Sequence, residues 1–142
     1  MKVKDIMTDS VVSLDGDAPV QRAADIMKQY NVGAVPVCDA GSVIGIITDR
    51  DIALRAVAPG KDTHTTNVRE IMSSNPVLGK PNMEVDDAAR IMSERQIRRL
   101  PIVDNDNLVG MVSLGDIAVE PRLEQEAEQA LSNISEPSTP EA

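Results

Sequence analysis

The sequence predicts a mixed α+β fold made of two tandem copies of one β-α-β-β-α half-domain, and three observations lead there. First, the chain repeats itself at one fixed offset. Asp5-Ile6-Met7-Thr8 returns as Glu70-Ile71-Met72-Ser73 and Val35-Pro36-Val37 as Leu100-Pro101-Ile102, each 65 residues later without a gap. Gly45-Ile46-Ile47-Thr48 returns as Gly110-Met111-Val112-Ser113 and Asp51-Ile52-Ala53 as Asp116-Ile117-Ala118 at the same offset. Second, the hydrophobic period changes in the same order within each copy. Third, 42% of the 142 residues are apolar and 26% charged, enough for a packed interior under a globular surface. A copy of about 50 residues is marginal alone, so two copies packed face to face are expected to share a core and leave a symmetric cleft. The copies are assigned to residues 1–60 and 68–120, joined by a linker at 61–67 and followed by an acidic tail at 121–142.

Each copy opens with a short extended segment, Val11-Val12 or Val77-Leu78, ended by the turn formers Asp15-Gly16-Asp17 or Gly79-Lys80-Pro81-Asn82. A helix follows from about Pro19 to Tyr30, with proline in its first turn. Val20, Ala23, Ala24 and Met27 fall at i, i+3, i+4 and i+7 and make one apolar stripe, repeated as Val85, Ala88, Ala89 and Met92. Two strands are predicted at Ala34–Cys38 and Val43–Ile47, around the turn Asp39-Ala40-Gly41. A second helix opens at Thr48. Lys61 to Asn67 is polar and aperiodic, as a linker is, whereas Arg122 to Leu131 is rich in Glu, Gln and Ala and predicts a terminal helix. Ser135 to Pro140 has the composition of a disordered end.

Composition excludes several functions. Tyr30 is the only aromatic residue, so the core is aliphatic with seven Met, and stacking platforms for single-stranded nucleic acid are missing. Net charge is −9, and the six acids and one base from Glu120 to Ala142 carry −5 of it. No nucleic-acid partner is expected from such a field. Cys38, the single cysteine, forms no internal disulfide, fits a reducing compartment and sits in the apolar run from Ala34 as a packed filler. The first ten residues lack an apolar signal core, and no stretch approaches the roughly 20 apolar residues of a membrane span. A soluble, cytoplasmic protein with no membrane partner is the expectation.

Catalytic patterns are also missing. Gly60-Lys61 departs from a phosphate-binding loop because Asp62 follows the lysine. His64, the only histidine, lies in the polar linker with no Cys or His beside it, so neither a metal site nor a nucleophilic dyad is expected. The carboxylate pairs Asp15/Asp17 and Asp49/Asp51 have the spacing of turn and cap chemistry. No catalytic residue and no required cofactor are assigned.

The repeated segments Thr48-Asp49-Arg50-Asp51 and Ser113-Leu114-Gly115-Asp116 stand out instead. A hydroxyl followed three residues later by an acid, just before an apolar helix, is a capping box. The hydroxyl satisfies an orphan N–H, and the acid favours the positive helix end. The same geometry presents N–H groups toward a cleft. An ionised Asp there can accept both hydroxyls of a ribose, at about 1.5–3 kcal/mol per charge-assisted bond.

The opening Asp-Ile-Met-Thr, the apolar-Pro-apolar strand and Gly-apolar-apolar-Thr/Ser-x-x-Asp-Ile, twice in register, resemble the CBS repeat. Over residues 3–120 the chain resembles a small stand-alone bacterial CBS pair, or Bateman module. The resemblance implies pseudo-twofold symmetry, a homodimeric disk, and AMP, ADP, ATP or a related adenosyl ligand in the inter-repeat clefts. It implies ribose binding by Asp51 and Asp116, with Thr48 and Ser113 touching ribose or phosphate, and phosphate binding by Arg98 and Arg99. The first copy has Gly33-Ala34 where the second has Arg98-Arg99, so the clefts are not equivalent, although Arg50 and Arg55 stand near the other one. The base needs an apolar slot of Val12, Val35 and Pro36, or of Val77, Leu100 and Pro101. The expected function is a regulatory module whose ligand shifts a conformational population and signals to another protein. A dimerisation scaffold without ligand, an S-adenosylmethionine-type sensor and a nucleotide-phosphate hydrolase or transferase are the alternatives.

Overall fold

The computed structural model describes residues 1–120 and 124–137. The chain forms two compact units, one of residues 11–77 with 105–108, the other of residues 1–10, 78–104 and the chain from 109 onward. The first unit runs β1 (Leu14–Asp15), α1 (Val20–Tyr30), β2 (Ala34–Asp39), β3 (Ser42–Thr48), α2 (Asp49–Asp51, continuing as a π-helical turn over Ile52–Val57), α3 (Val68–Ile71) and β4 (Ser73–Ser74). Its sheet has the order β1-β2-β3-β4, with β1 parallel to β2 and the other pairs antiparallel. Of the expected α1 stripe, Val20, Ala23 and Met27 are buried, with Ile26 beside them, while Ala24 is only half-buried; they share a core with Leu14, Val35, Val37 and Ile47 of the sheet, and Ala56, Val68, Ile71 and Met72 complete it.

The opening strand lies later than the sequence suggests. Val11 and Val12 are half-buried outside any strand, while Leu14 pairs with Val37 and is buried. One deep side chain, rather than the β-branched pair, places the strand. The β2–β3 turn puts both Ala40 (φ 50°) and Gly41 (φ 88°) in the left-handed region, the geometry of a two-residue hairpin whose twist matches its strands.

Helix α1 has no side-chain cap on Pro19. Its orphan donors are met by the polar segment instead: Val20 N–H donates to the Thr66 carbonyl and Gln21 N–H to that of Thr63, both at 2.9 Å. In return, Val68 N–H donates to the Ala18 carbonyl at 2.8 Å and Arg69 N–H to Gly16 at 3.1 Å. Residues 61–67 are thus tied along the start of α1.

The second unit contains α4 (Val85–Arg95), β5 (Arg99–Asp104), all but the first two residues of β6 (Asn107–Ser113), α5 (Leu114–Ala118) and α6 (Glu124–Ser135). Strands β5 and β6 pair as a hairpin, with isolated bridges from Gly79 to Ile102 (parallel) and Thr8 to Met111 (antiparallel). Here residues 1–5 serve α4: Val85 N–H donates to the Met1 carbonyl at 2.9 Å, Val3 N–H to Met83 at 2.9 Å and Lys4 N–H to Pro81 at 3.0 Å.

The repeated Met and Gly of the two copies turn out to be halves of one contact. A β-carbon on Gly45 would stand 2.7 Å from the Ser73 carbonyl oxygen and 2.6 Å from Met72 Sδ. On Gly110 it would stand 3.0 Å from the Thr8 carbonyl oxygen and 2.5 Å from Met7 Sδ. Only bare backbone admits these segments so closely.

Helix α6 buries Ala127 and Ala130 and packs on α4 and α5. The Asn133 amide donates to Ser93 Oγ, and the Gln96 amide donates to the carbonyls of Asn133 and Glu136, each at 3.2 Å. The terminal helix therefore runs on to Ser135, past the Leu131 expected from composition, while 121–123 and 138–142 lie outside the described residues. Among the described residues no helix is long and apolar enough to cross a membrane.

Candidate functional site

Both hydroxyl–acid segments form reciprocal capping boxes. In the first unit Asp51 N–H donates to Thr48 Oγ1 at 3.1 Å, and Thr48 N–H donates to Asp51 Oδ2 at 2.9 Å. In the second unit Asp116 N–H donates to Ser113 Oγ at 3.1 Å, and Ser113 N–H donates to Asp116 Oδ2 at 2.8 Å. Each helix start is also tied to the strand beside it, by Asp49 N–H to the Gly33 carbonyl (2.9 Å) and Leu114 N–H to the Arg98 carbonyl (2.8 Å). The residues before each apolar-Pro strand are thereby held against the helix start, which explains why these two motifs occur together.

The surroundings of the two boxes differ. Asp51 is buried, its Oδ1 3.9 Å from Arg55 Nε, and Arg55 Nη1 donates to the carbonyls of Ile71 and Met72 at 3.4 Å. Arg50 is exposed, and its backbone N–H donates to Asp49 Oδ1 at 2.9 Å. At Gly33 a β-carbon would lie 3.0 Å from Asp49 Oδ2. An acid therefore stands where the second unit carries its arginine pair.

In the second unit Arg98, Arg99 and Ser113 line one cavity of about 510 Å³ with Leu114, Gly115 and Ala118. Helix α6 supplies the facing wall with Ala127, Glu128 and Leu131. The two guanidinium groups have no ion-pair or hydrogen-bond partner among the described residues. Asp116 is half-buried at the helix start and does not line this cavity. Of the apolar residues expected around a base, Val35 and Leu100 are 1% and 0% exposed, and Pro36 and Pro101 are buried as well. These four offer a ligand almost no surface, while Val12 and Val77 are half-buried.

The α6 wall is what the sequence reading missed. Its signal was present, since Ala127, Ala130, Leu131 and Ile134 fall at i, i+3, i+4 and i+7. Cys38 is half-buried; burial pushes its thiol pKa up, against a hydrogen bond with Ser13 that lowers it. A thiol held protonated is a poor nucleophile.

A duplicated α+β module, with a hydroxyl–carboxylate helix start in each unit and a cationic cavity beside one of them, is the class defined by this architecture. The CBS domain model matches residues 3–57 and 68–121, and the chain belongs to the CBS-domain family as a pair of such domains. It is 52% identical over 133 residues to the CBS domain-containing protein YhcV of Bacillus subtilis, covering 94% of each chain. It is similar in structure to Hypoxic Response Protein I with two coordinated zinc ions (TM-score 0.78, 30% identity, 84% of this chain and 98% of that one). It is similar also to the CBS domain pair of protein MJ0100 in complex with 5′-methylthioadenosine and S-adenosyl-L-methionine (TM-score 0.76, 32% identity, 88% of this chain and 96% of that one).

Proposed function

We propose that this CBS pair is a regulatory sensor binding an adenine nucleotide (AMP, ADP or ATP), with phosphate at Arg98 and Arg99 beside the Ser113 helix start. One observation carries the reading: two arginines without partners among the described residues share a cavity of about 510 Å³ with a polar helix start. That volume lies within the range typical of small-molecule sites, roughly 300–1,000 Å³. Guanidinium forks suit phosphate oxygens; the ribose is assigned to Asp116 Oδ1, left over when Oδ2 is used in the cap, at the same helix start but outside the lining of this cavity. In the first unit Arg55 Nε already stands 3.9 Å from Asp51 Oδ1 and Asp49 occupies the space at Gly33, a setting poorer for phosphate.

The likeness to the MJ0100 pair supports an adenosyl ligand of some kind and makes S-adenosylmethionine and 5′-methylthioadenosine the second arm of the test. Homodimerisation belongs to the same reading and is supported by Leu54 and Val57, exposed by 53% and 63% on the π-helical turn. A ligand that fits one arrangement better shifts its population and passes the signal to a partner protein, without a reaction on the ligand. Thermal unfolding with each adenosyl compound tests this. A ligand at about 100 times its dissociation constant adds roughly 2.7 kcal/mol of stability, and a flat transition with every compound contradicts the proposal.

A further inference from the structure

The cavity beside Ser113 has a wall that the CBS motif does not supply. Helix α6 is fixed there by buried Ala127 and Ala130 and by the Asn133–Ser93 and Gln96–Asn133 hydrogen bonds, so Glu128 is held at the cavity by a packed helix. Among the described lining residues Arg98 and Arg99 are the only cations and Glu128 the only acid. No ion pair joins Glu128 to either arginine, so its carboxylate remains an uncompensated negative charge at the rim.

Resting on the nucleotide reading above, we propose that Glu128 is a specificity-determining residue that sets the phosphate count and makes the site select AMP over ATP. Two guanidinium groups and one carboxylate leave a net charge of about +1, and a phosphate monoester carries about −1.5 to −2 at neutral pH. The first phosphate therefore consumes the available positive charge. Each further phosphate adds negative charge that meets Glu128 with no further cation among the described lining residues to oppose it. A pocket for ATP would be expected to carry another base at this wall; this one carries an acid.

Titration calorimetry of AMP and ATP, without divalent metal, into the wild-type chain, E128Q and E126Q tests the assignment. Glu126 is the control, because it lies on the same helix but lines a different groove, with Asp86 and Arg90. The wild type is expected to bind AMP more tightly than ATP. E128Q is expected to improve ATP binding about fivefold more than AMP binding, the scale of a nearby charge at high effective dielectric, with the gain shrinking in salt. E126Q is expected to leave the ratio unchanged. An unchanged ATP-to-AMP ratio in E128Q, an equal shift in E126Q, or a wild type that prefers ATP overturns the role of Glu128 while the sensor reading stands. A wild type that binds neither nucleotide overturns the nucleotide reading itself, and this inference with it.

Discussion

Position 79 shows how two copies of one half-domain keep the same core with different residues. The first copy places Leu14 on the strand edge beside Val35 and Val37; the second has Gly79 beside Leu100 and Ile102. A β-carbon on Gly79 would lie 2.8 Å from Ile102 Cδ1 and 2.9 Å from Leu100 Cδ2. The larger Leu100 and Ile102 side chains fill part of the space that Leu14 fills in the first copy. Gly79→Leu is expected to cost about 1–3 kcal/mol in urea unfolding, as overpacking does. Leu100→Val with Ile102→Val is expected to recover most of that loss, a coupling that additive effects would not produce. The exchange could be aligned in the sequence, but its meaning could not, because Gly79 also stood in a run of turn formers. Gly45 and Gly110 were legible as a repeated pair next to the candidate site. Their contacts with Met72 and Met7 show a packing reason that no spacing rule contains.

At the scale of elements, helices α1 and α4 and both β-hairpins were legible because each has a strong period and a turn signal. The segments ahead of the copies were not. Met1 caps α4, and Thr63 and Thr66 cap α1, through main-chain carbonyls, which leave no side-chain signature. A polar, aperiodic stretch such as 61–67 then has the composition of a linker although it is tied down. The N-terminal segment carries one titratable tie. Glu84 is held below the ordinary carboxylate pKa first by its hydrogen bond from Lys2, then by that from the Met1 ammonium. The folded value lies below the unfolded one, about 4.3, so the stabilisation is present above the unfolded pKa and is lost as pH falls through the folded value. Hydrogen-exchange protection of residues 3–5 is expected to fall in acid in the wild type. In Glu84→Gln it should be weaker at neutral pH and lose that dependence; identical pH profiles would show that the tie does not hold the segment.

Across the whole molecule the duplication was legible from one constant offset, and the family followed from motifs present twice in register. The inequality of the copies was half legible: Arg98-Arg99 opposite Gly33-Ala34 stood in the sequence, but the approach of Arg55 to Asp51 and the α6 wall required the fold. The most direct measurement compares AMP and adenosine affinities of the wild type with those of the Arg98→Gln, Arg99→Gln double variant. Loss of two charge-assisted contacts, each about 1.5–3 kcal/mol, is expected to weaken AMP binding at least tenfold and leave adenosine unchanged. Equal AMP affinity in the two proteins would show that the phosphate does not sit at these arginines.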